Sequence, residues 1–156
     1  GRRGDHPRED SADLLVYRLT RDRLEADVEA GRLVWHEAEG WYQIVEIGNY
    51  RALLVHGDQI RSFGGNVPHY GIARKVNAWA SGVVEPFTDC YMGHFHTPIV
   101  TPLANGRGRV LVNPSIESDN QYAKEFVAAT GTPGQRLNFI DPEKGRVTTE
   151  RIIWLD

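Results

Sequence analysis

The sequence predicts an α/β layered sandwich, and three observations carry that prediction. Apolar residues recur at helical spacing in two segments, Leu14 to Val28 and Ile72 to Trp79. Two short apolar runs that read as strands, ending at Val55 and Met92, each lead into a segment containing glycine and histidine. Beyond residue 85 strands dominate, separated by turn residues at Asn105-Gly106 and at Asp141, Pro142 and Gly145.

Taken in order, the first ten residues, GRRGDHPRED, are polar and read as a loop. Asp10 or Ser11 is placed to cap a helix carrying Leu14, Leu15, Val16, Leu19, Leu24 and Val28, with Gly31 as its stop. Trp41 to Ile47 is aromatic and β-branched enough for a strand. Gly48-Asn49 makes a tight turn into a second, apolar strand, Arg51 to Val55. A glycine-rich loop, Gly64-Gly65-Asn66, precedes a helix starting near Pro68, with Ile72, Val76 and Trp79 on one face and Gly82 at its end. Further strands are expected at Thr88 to Met92, Ile99 to Leu103, Arg109 to Val112, Gln135 to Ile140 and Arg146 to Trp154.

A chain of 156 residues buries roughly 70% of its unfolded surface, enough for a true core. With 40% hydrophobic and 25% charged residues it is neither a disordered tail nor a membrane protein. No apolar run approaches the ~20 residues of a membrane span, and the opening residues lack a signal peptide's apolar stretch. The balance of 18 basic against 21 acidic residues gives a net charge of −3, which excludes a globally basic nucleic-acid coat. The single cysteine, Cys90, excludes an intrachain disulfide and a cysteine-rich zinc module, and its place inside a strand marks an inert packed thiol. A soluble, cytoplasmic domain is the expectation.

Two histidine features stand at the C-terminal ends of predicted buried strands, where open α/β sheets bind ligands. His56, in VHGD, directly succeeds Leu53-Leu54-Val55, and a metal ion or a hydrogen bond to Asp58 would satisfy it. His94 and His96, in GHFH, would project to one side of an extended segment about 6.5–7 Å apart. So placed, they suit one ion, or each of two ions about 3.5–4 Å apart. A strand-end histidine alone is most often a hydrogen-bonded structural residue, and a single His-x-His also occurs on solvent-facing strands. Together, with a glycine beside each and a strand before each, they favour a metal site. His6, His36 and His69 fall in predicted loops or on polar faces, with His69 near a possible cleft wall. No nucleophile elbow, P-loop or dinucleotide fingerprint is present.

Three stretches, LLVHGD at 53–58, DCYMGHFHTP at 89–98 and VLVNPSIESDNQY at 110–122, resemble the C-terminal half of a calcineurin-like metallophosphoesterase of the bacteriophage type. GHFH is the specific element, and the likeness runs to about Gln135. It implies a two-sheet sandwich, of which residues 1–156 are a single partial domain, and a site for two divalent ions (Mn, Fe, Zn or Ni). On it His56 and His94 bind one ion, His96 the other, and Asp58 orients an imidazole from behind. Asn113 and Ser115 pass the site without an assigned role. The family's Asp-x-His, Gly-Asp and Gly-Asn-His motifs are not present. Gly1-Arg2-Arg3 resembles the residues just after Asn-His in phage-type members, so the general-acid histidine is expected just before Gly1 and no catalytic residue within the chain.

The implied activity is metal-dependent hydrolysis of phosphate monoesters or diesters, with nucleic acid possible as substrate only and no membrane partner. The alternative is a non-catalytic half-domain or metal-binding module acting through an N-terminal partner segment or chain. A mononuclear zinc hydrolase on His56, His94 and His96 is a third reading. If phage-encoded, the protein would work in the host cytoplasm.

Overall fold

Strand pairing sets the architecture. The computed structural model describes residues 12–38, 40–62, 67–117 and 132–155, and the chain divides into two units, Gly1–Glu37 and Ala38–Asp156. The expected opening loop, the cap at Asp10 or Ser11 and the Gly64-Gly65-Asn66 loop lie outside the described residues.

In the first unit the expected long helix is two, α1 (Ala12–Arg23) and α2 (Glu25–Glu29). The break is at Leu24, whose ψ of 6° leaves the helical range while its N–H is shared between the carbonyls of Thr20 and Arg21. A new first turn then begins with Glu25 and Asp27, acids favoured at a helix N-terminus. Gly31 ends α2 at φ +68°, the left-handed conformation in which glycine bears no Cβ penalty.

The second unit holds a five-stranded sheet in the order β1-β2-β3-β5-β4. Its strands are β1 (Tyr42–Ile47), β2 (Tyr50–Val55), β3 (Asp89–Met92), β4 (Ile99–Pro102) and β5 (Arg109–Val112). β2, β3 and β5 are parallel, and the antiparallel strands β1 and β4 form the two edges. A separate antiparallel hairpin joins β6 (Gly134–Asp141) to β7 (Arg146–Trp154). The β2–β3 crossover carries α3 (His69–Ala78) and then a wide helical turn, Trp79–Val83, that stops at Gly82 with φ +109°. This is the expected two-sheet α/β class. Among the described residues no helix is long and apolar enough to cross a membrane.

Alternation along the strands sorts side chains onto two faces. On one, Leu53, Cys90, Met92, Val110 and Val112 pack with Ile72, Val76 and Trp79, forming the apolar core beneath α3. Burial there pushes the Cys90 thiol up to about 12. The other face turns Tyr50, Asp89, Tyr91, Arg109 and Leu111 toward the hairpin, and it is largely polar. Asp89, only 3% exposed, accepts hydrogen bonds from Tyr50 Oη (2.9 Å) and from the Arg109 backbone (2.8 Å), and pairs with the Arg109 guanidinium at 3.3 Å. Tyr50 and Tyr91 share a hydroxyl contact at 2.8 Å, and Asn138 on β6 donates to Tyr91 at 2.7 Å. Glu150 on β7 bridges Arg109 (3.4 Å) and Arg136 (3.2 Å). Burial raises the pKa of both tyrosines, so both hydroxyls stay protonated and available as donors.

The hairpin is also tied at both ends. At its tip the Asn49 backbone N–H donates to the carbonyl of Pro142 and the Asn49 amide to that of Glu143, each at 2.7 Å. A Cβ on Gly48 would come within 2.5 Å of the Pro142 carbonyl oxygen, and one on Gly145 within 2.6 Å of that of Asn49. At its base Gly134 N–H donates to the Ser115 carbonyl (2.8 Å).

This packing generates two expected outcomes. Asp89→Asn keeps the shape but removes the buried carboxylate of the two that Arg109 pairs with, and should cost about 2–4 kcal/mol in urea unfolding, discounted because Arg109 keeps Glu150 and a third of its side chain in water. Cys90, fully buried and with its thiol pushed up to about 12, should be silent to a thiol reagent in the native protein and react in full once it is unfolded.

Candidate metal site at the strand ends

The parallel trio β2, β3 and β5 ends on one side of the sheet. In register Val55 lies beside Met92, and Met92 beside Val112. The residues that leave these strands, His56, Gly93-His94 and Asn113, are therefore neighbours in space although far apart in sequence. Asn113 N–H continues the ladder by donating to the Met92 carbonyl at 2.8 Å.

His56 and His94 meet directly. Nδ1 of His94 stands 3.2 Å from Nε2 of His56, with ring centroids 5.0 Å apart and planes at 68°. A hydrogen bond between them requires one nitrogen to carry the proton and the other to present its lone pair. The same spacing suits two ligands of one ion, because nitrogens held at 2.0–2.1 Å by a tetrahedral zinc lie about 3.3 Å apart. Partial burial lowers the pKa of His94 and the adjacent His56 lowers it further, while Asp58 pulls the other way. His94 is thus biased toward the neutral form, the state in which an imidazole binds metal.

Two backbone features build this approach. Gly57 has φ +111°, and a Cβ there would lie 2.8 Å from Met92 Cγ and 3.2 Å from His94 Cβ. The two loops therefore touch through a glycine, with the buried Met92 as the wedge beneath. His94 and His96 both take left-handed backbone, at φ 63° and 55°. The GHFH segment is a tight loop, closed by a Phe95 N–H to Gly93 carbonyl bond of 2.7 Å, and not the extended stretch expected. Equal projection of His94 and His96 from a strand is thereby corrected: a left-handed residue at each histidine breaks the period of two.

The other expected site residues are more dispersed. His96 is exposed and makes no hydrogen bond to the His56–His94 pair. Asp58 is half-buried and acts on His94 through its charge, without a hydrogen bond to either imidazole. Among the described residues no three histidine, cysteine, aspartate or glutamate side chains are grouped to hold an ion, so the described donors amount to two. Asn113 directs its side-chain carbonyl down to Arg136 (3.3 Å), and Ser115 caps Glu117 N–H at 3.1 Å. His36 and His69 are exposed, and His6 lies outside the described residues, as do Arg2 and Arg3. Sequence pattern alone misses Met92 as a wedge and the inward-facing Arg136. Gly57, beside His56, is the visible signal for the first; nothing local distinguishes Arg136.

No protein-family model matches this chain, and no curated protein matches it. Among solved structures it is similar to Vps29 from Entamoeba histolytica in complex with Zn2+, with a TM-score of 0.49 and 14% identity over 78% of this chain and 64% of that one. It is also similar to a conserved uncharacterized protein of Streptococcus pneumoniae, described as a predicted phosphoesterase. There the TM-score is 0.41 and identity 14%, over 90% of each chain. The chain thus spans a little under two thirds of the length of the zinc-bound Vps29. Likeness at this level assigns neither residues nor activity, and the site rests on its own geometry.

Gly57→Ala should cost about 1–3 kcal/mol, from left-handed strain and the clash with Met92, and push the two loops apart. Urea unfolding and the nuclear Overhauser effect between the His56 and His94 rings measure the two effects, and an unchanged ring contact would refute the wedge.

Proposed function

We propose that this chain contributes to a metal-dependent phosphoesterase of the calcineurin-like metallophosphoesterase superfamily, with His56 and His94 as two ligands of one divalent ion. One observation carries the reading: two imidazole nitrogens 3.2 Å apart at the C-terminal ends of adjacent parallel strands, one of them biased to the neutral form. In this reading His96 serves a second ion and Asp58 balances charge nearby. When bound, such an ion supplies Lewis acidity toward a phosphoryl oxygen. The chain's own part is to present two neutral donors on a rigid sheet end and to hold their loops together through Gly57. Carboxylate ligands and the general acid belong to residues beyond the described set or to a partner segment. Phosphate esters, nucleic acid among them, are the proposed substrates.

A second reading, a metal-binding module without catalysis, is favoured by the donor set itself, since two neutral imidazoles leave a divalent charge uncompensated.

Zinc titration followed by calorimetry, together with hydrolysis of p-nitrophenyl phosphate and its bis ester in zinc or manganese, separates the two. We expect this chain by itself to take up one zinc, at His56 and His94, weakened more than about 100-fold by His94→Ala, and the form completed by the missing ligands to show hydrolysis that the same substitution abolishes. Zinc binding without hydrolysis selects the module, and absence of zinc binding ends both readings.

A further inference from the structure

The hairpin lies on the face opposite the main core, yet its base reaches the strand ends that carry the histidines. Arg136, on β6, has a side chain only 3% exposed and spends its guanidinium on three elements. Nη1 pairs with Glu150 on β7 at 3.2 Å, Nη2 donates to the Val112 carbonyl at 3.2 Å, and Nε donates to the Asn113 side-chain carbonyl at 3.3 Å. Among the described residues Glu150 alone balances its charge. The two bonds to Val112 and Asn113 add geometry and no neutralisation, and they fall on the last residue of β5 and the first beyond it.

Neighbouring contacts grip the same turn. Gly134 N–H donates to the Ser115 carbonyl at 2.8 Å, and a Cβ on Gly134 would sit 3.2 Å from Pro114 Cγ, so the hairpin base is seated against that loop. From the clamped Asn113, the backbone N–H reaches the Met92 carbonyl, one residue before Gly93-His94. The side chain of that methionine fills the space beside Gly57.

We infer that Arg136 is a positioning residue for the metal site: by fixing Val112 and Asn113 it sets the end of β3, and so holds His94 against His56. This deepens the phosphoesterase reading and rests on it for the metal, but not for the ring contact. A guanidinium fork is required, because a lysine can keep the pair with Glu150 but cannot also hold two acceptors in fixed directions.

The test compares Arg136→Lys, Asn113→Ala and the unaltered chain. Far-UV circular dichroism and Cys90 thiol protection report the fold, the His56–His94 ring Overhauser effect reports the pairing, and zinc titration reports affinity. Both variants should keep Cys90 protected, lose most of the ring contact, and bind zinc about 10–100-fold more weakly. Asn113 is only half-buried, so its substitution decides the matter if Arg136→Lys does not fold. A folded variant that keeps ring contact and affinity, with only its unfolding midpoint lowered, would overturn the inference and leave Arg136 as a tie between sheets. If the unaltered chain takes up no zinc, the hydrolytic reading fails while the ring contact still decides the role of Arg136.

Discussion

Asp89 is the constraint on which the second unit depends. A carboxylate at 3% exposure is tolerable only if its oxygens are occupied, and here Tyr50, the Arg109 backbone and the Arg109 guanidinium occupy them. Burial works against the Arg109 charge, yet Asp89 and Glu150 together raise its pKa. Through Glu150 the same charges reach Arg136, and through the tyrosine hydroxyls they reach Asn138. The two sheets are thus joined by a polar seam with directional bonds, where an apolar interface would allow sliding. Directional bonds fix register, and register decides which residues meet at the strand ends.

That meeting is the candidate site. Three parallel strands stop at the same level, and their successors must turn away within one or two residues. Glycine solves this at Gly57, whereas His94 and His96 accept left-handed backbone at a cost of order 1 kcal/mol or more each. Strain of this kind persists where surrounding structure over-determines it. Met92 below, Gly57 beside and the Phe95–Gly93 bond within the loop supply that determination.

Much of this was legible in the sequence. The strands at 51–55, 88–92 and 109–112 were marked by apolar runs, and the hairpins by Asn-Gly and Pro-x-x-Gly turns whose chemistry is local. His56 and His94, whose rings meet, stood out because a titratable residue straight after a buried strand demands an explanation. The shape of the GHFH loop was not legible, since nothing in a histidine announces positive φ. Nor was the facing of β6. Leu137 and Phe139 point outward at 40% and 54% exposure, while Arg136 and Asn138 point in. A binary pattern assigns these the other way, and only the partners supplied by β3, β5 and β7 reverse it. The break at Leu24 was equally hidden, because apolar spacing continues through it.

The interlocked tips carry a consequence for how the fold closes. Asn49 is held by residues more than ninety positions later in the chain, so the contact cannot form until synthesis has passed residue 143. During synthesis the five strands can pair and bury their α3 face first, while Tyr50, Asp89 and Leu111 wait in water for a hairpin made after all five. A non-local closure of this kind slows folding, because loop-closure entropy is lost before any contact compensates it. It also couples the spelling of two distant turns: Gly48 faces the backbone of Pro142 and Gly145 that of Asn49, at distances that leave room for a side chain on neither. Drift at one turn is therefore bounded by the other, across the bond from the Asn49 N–H to the Pro142 carbonyl.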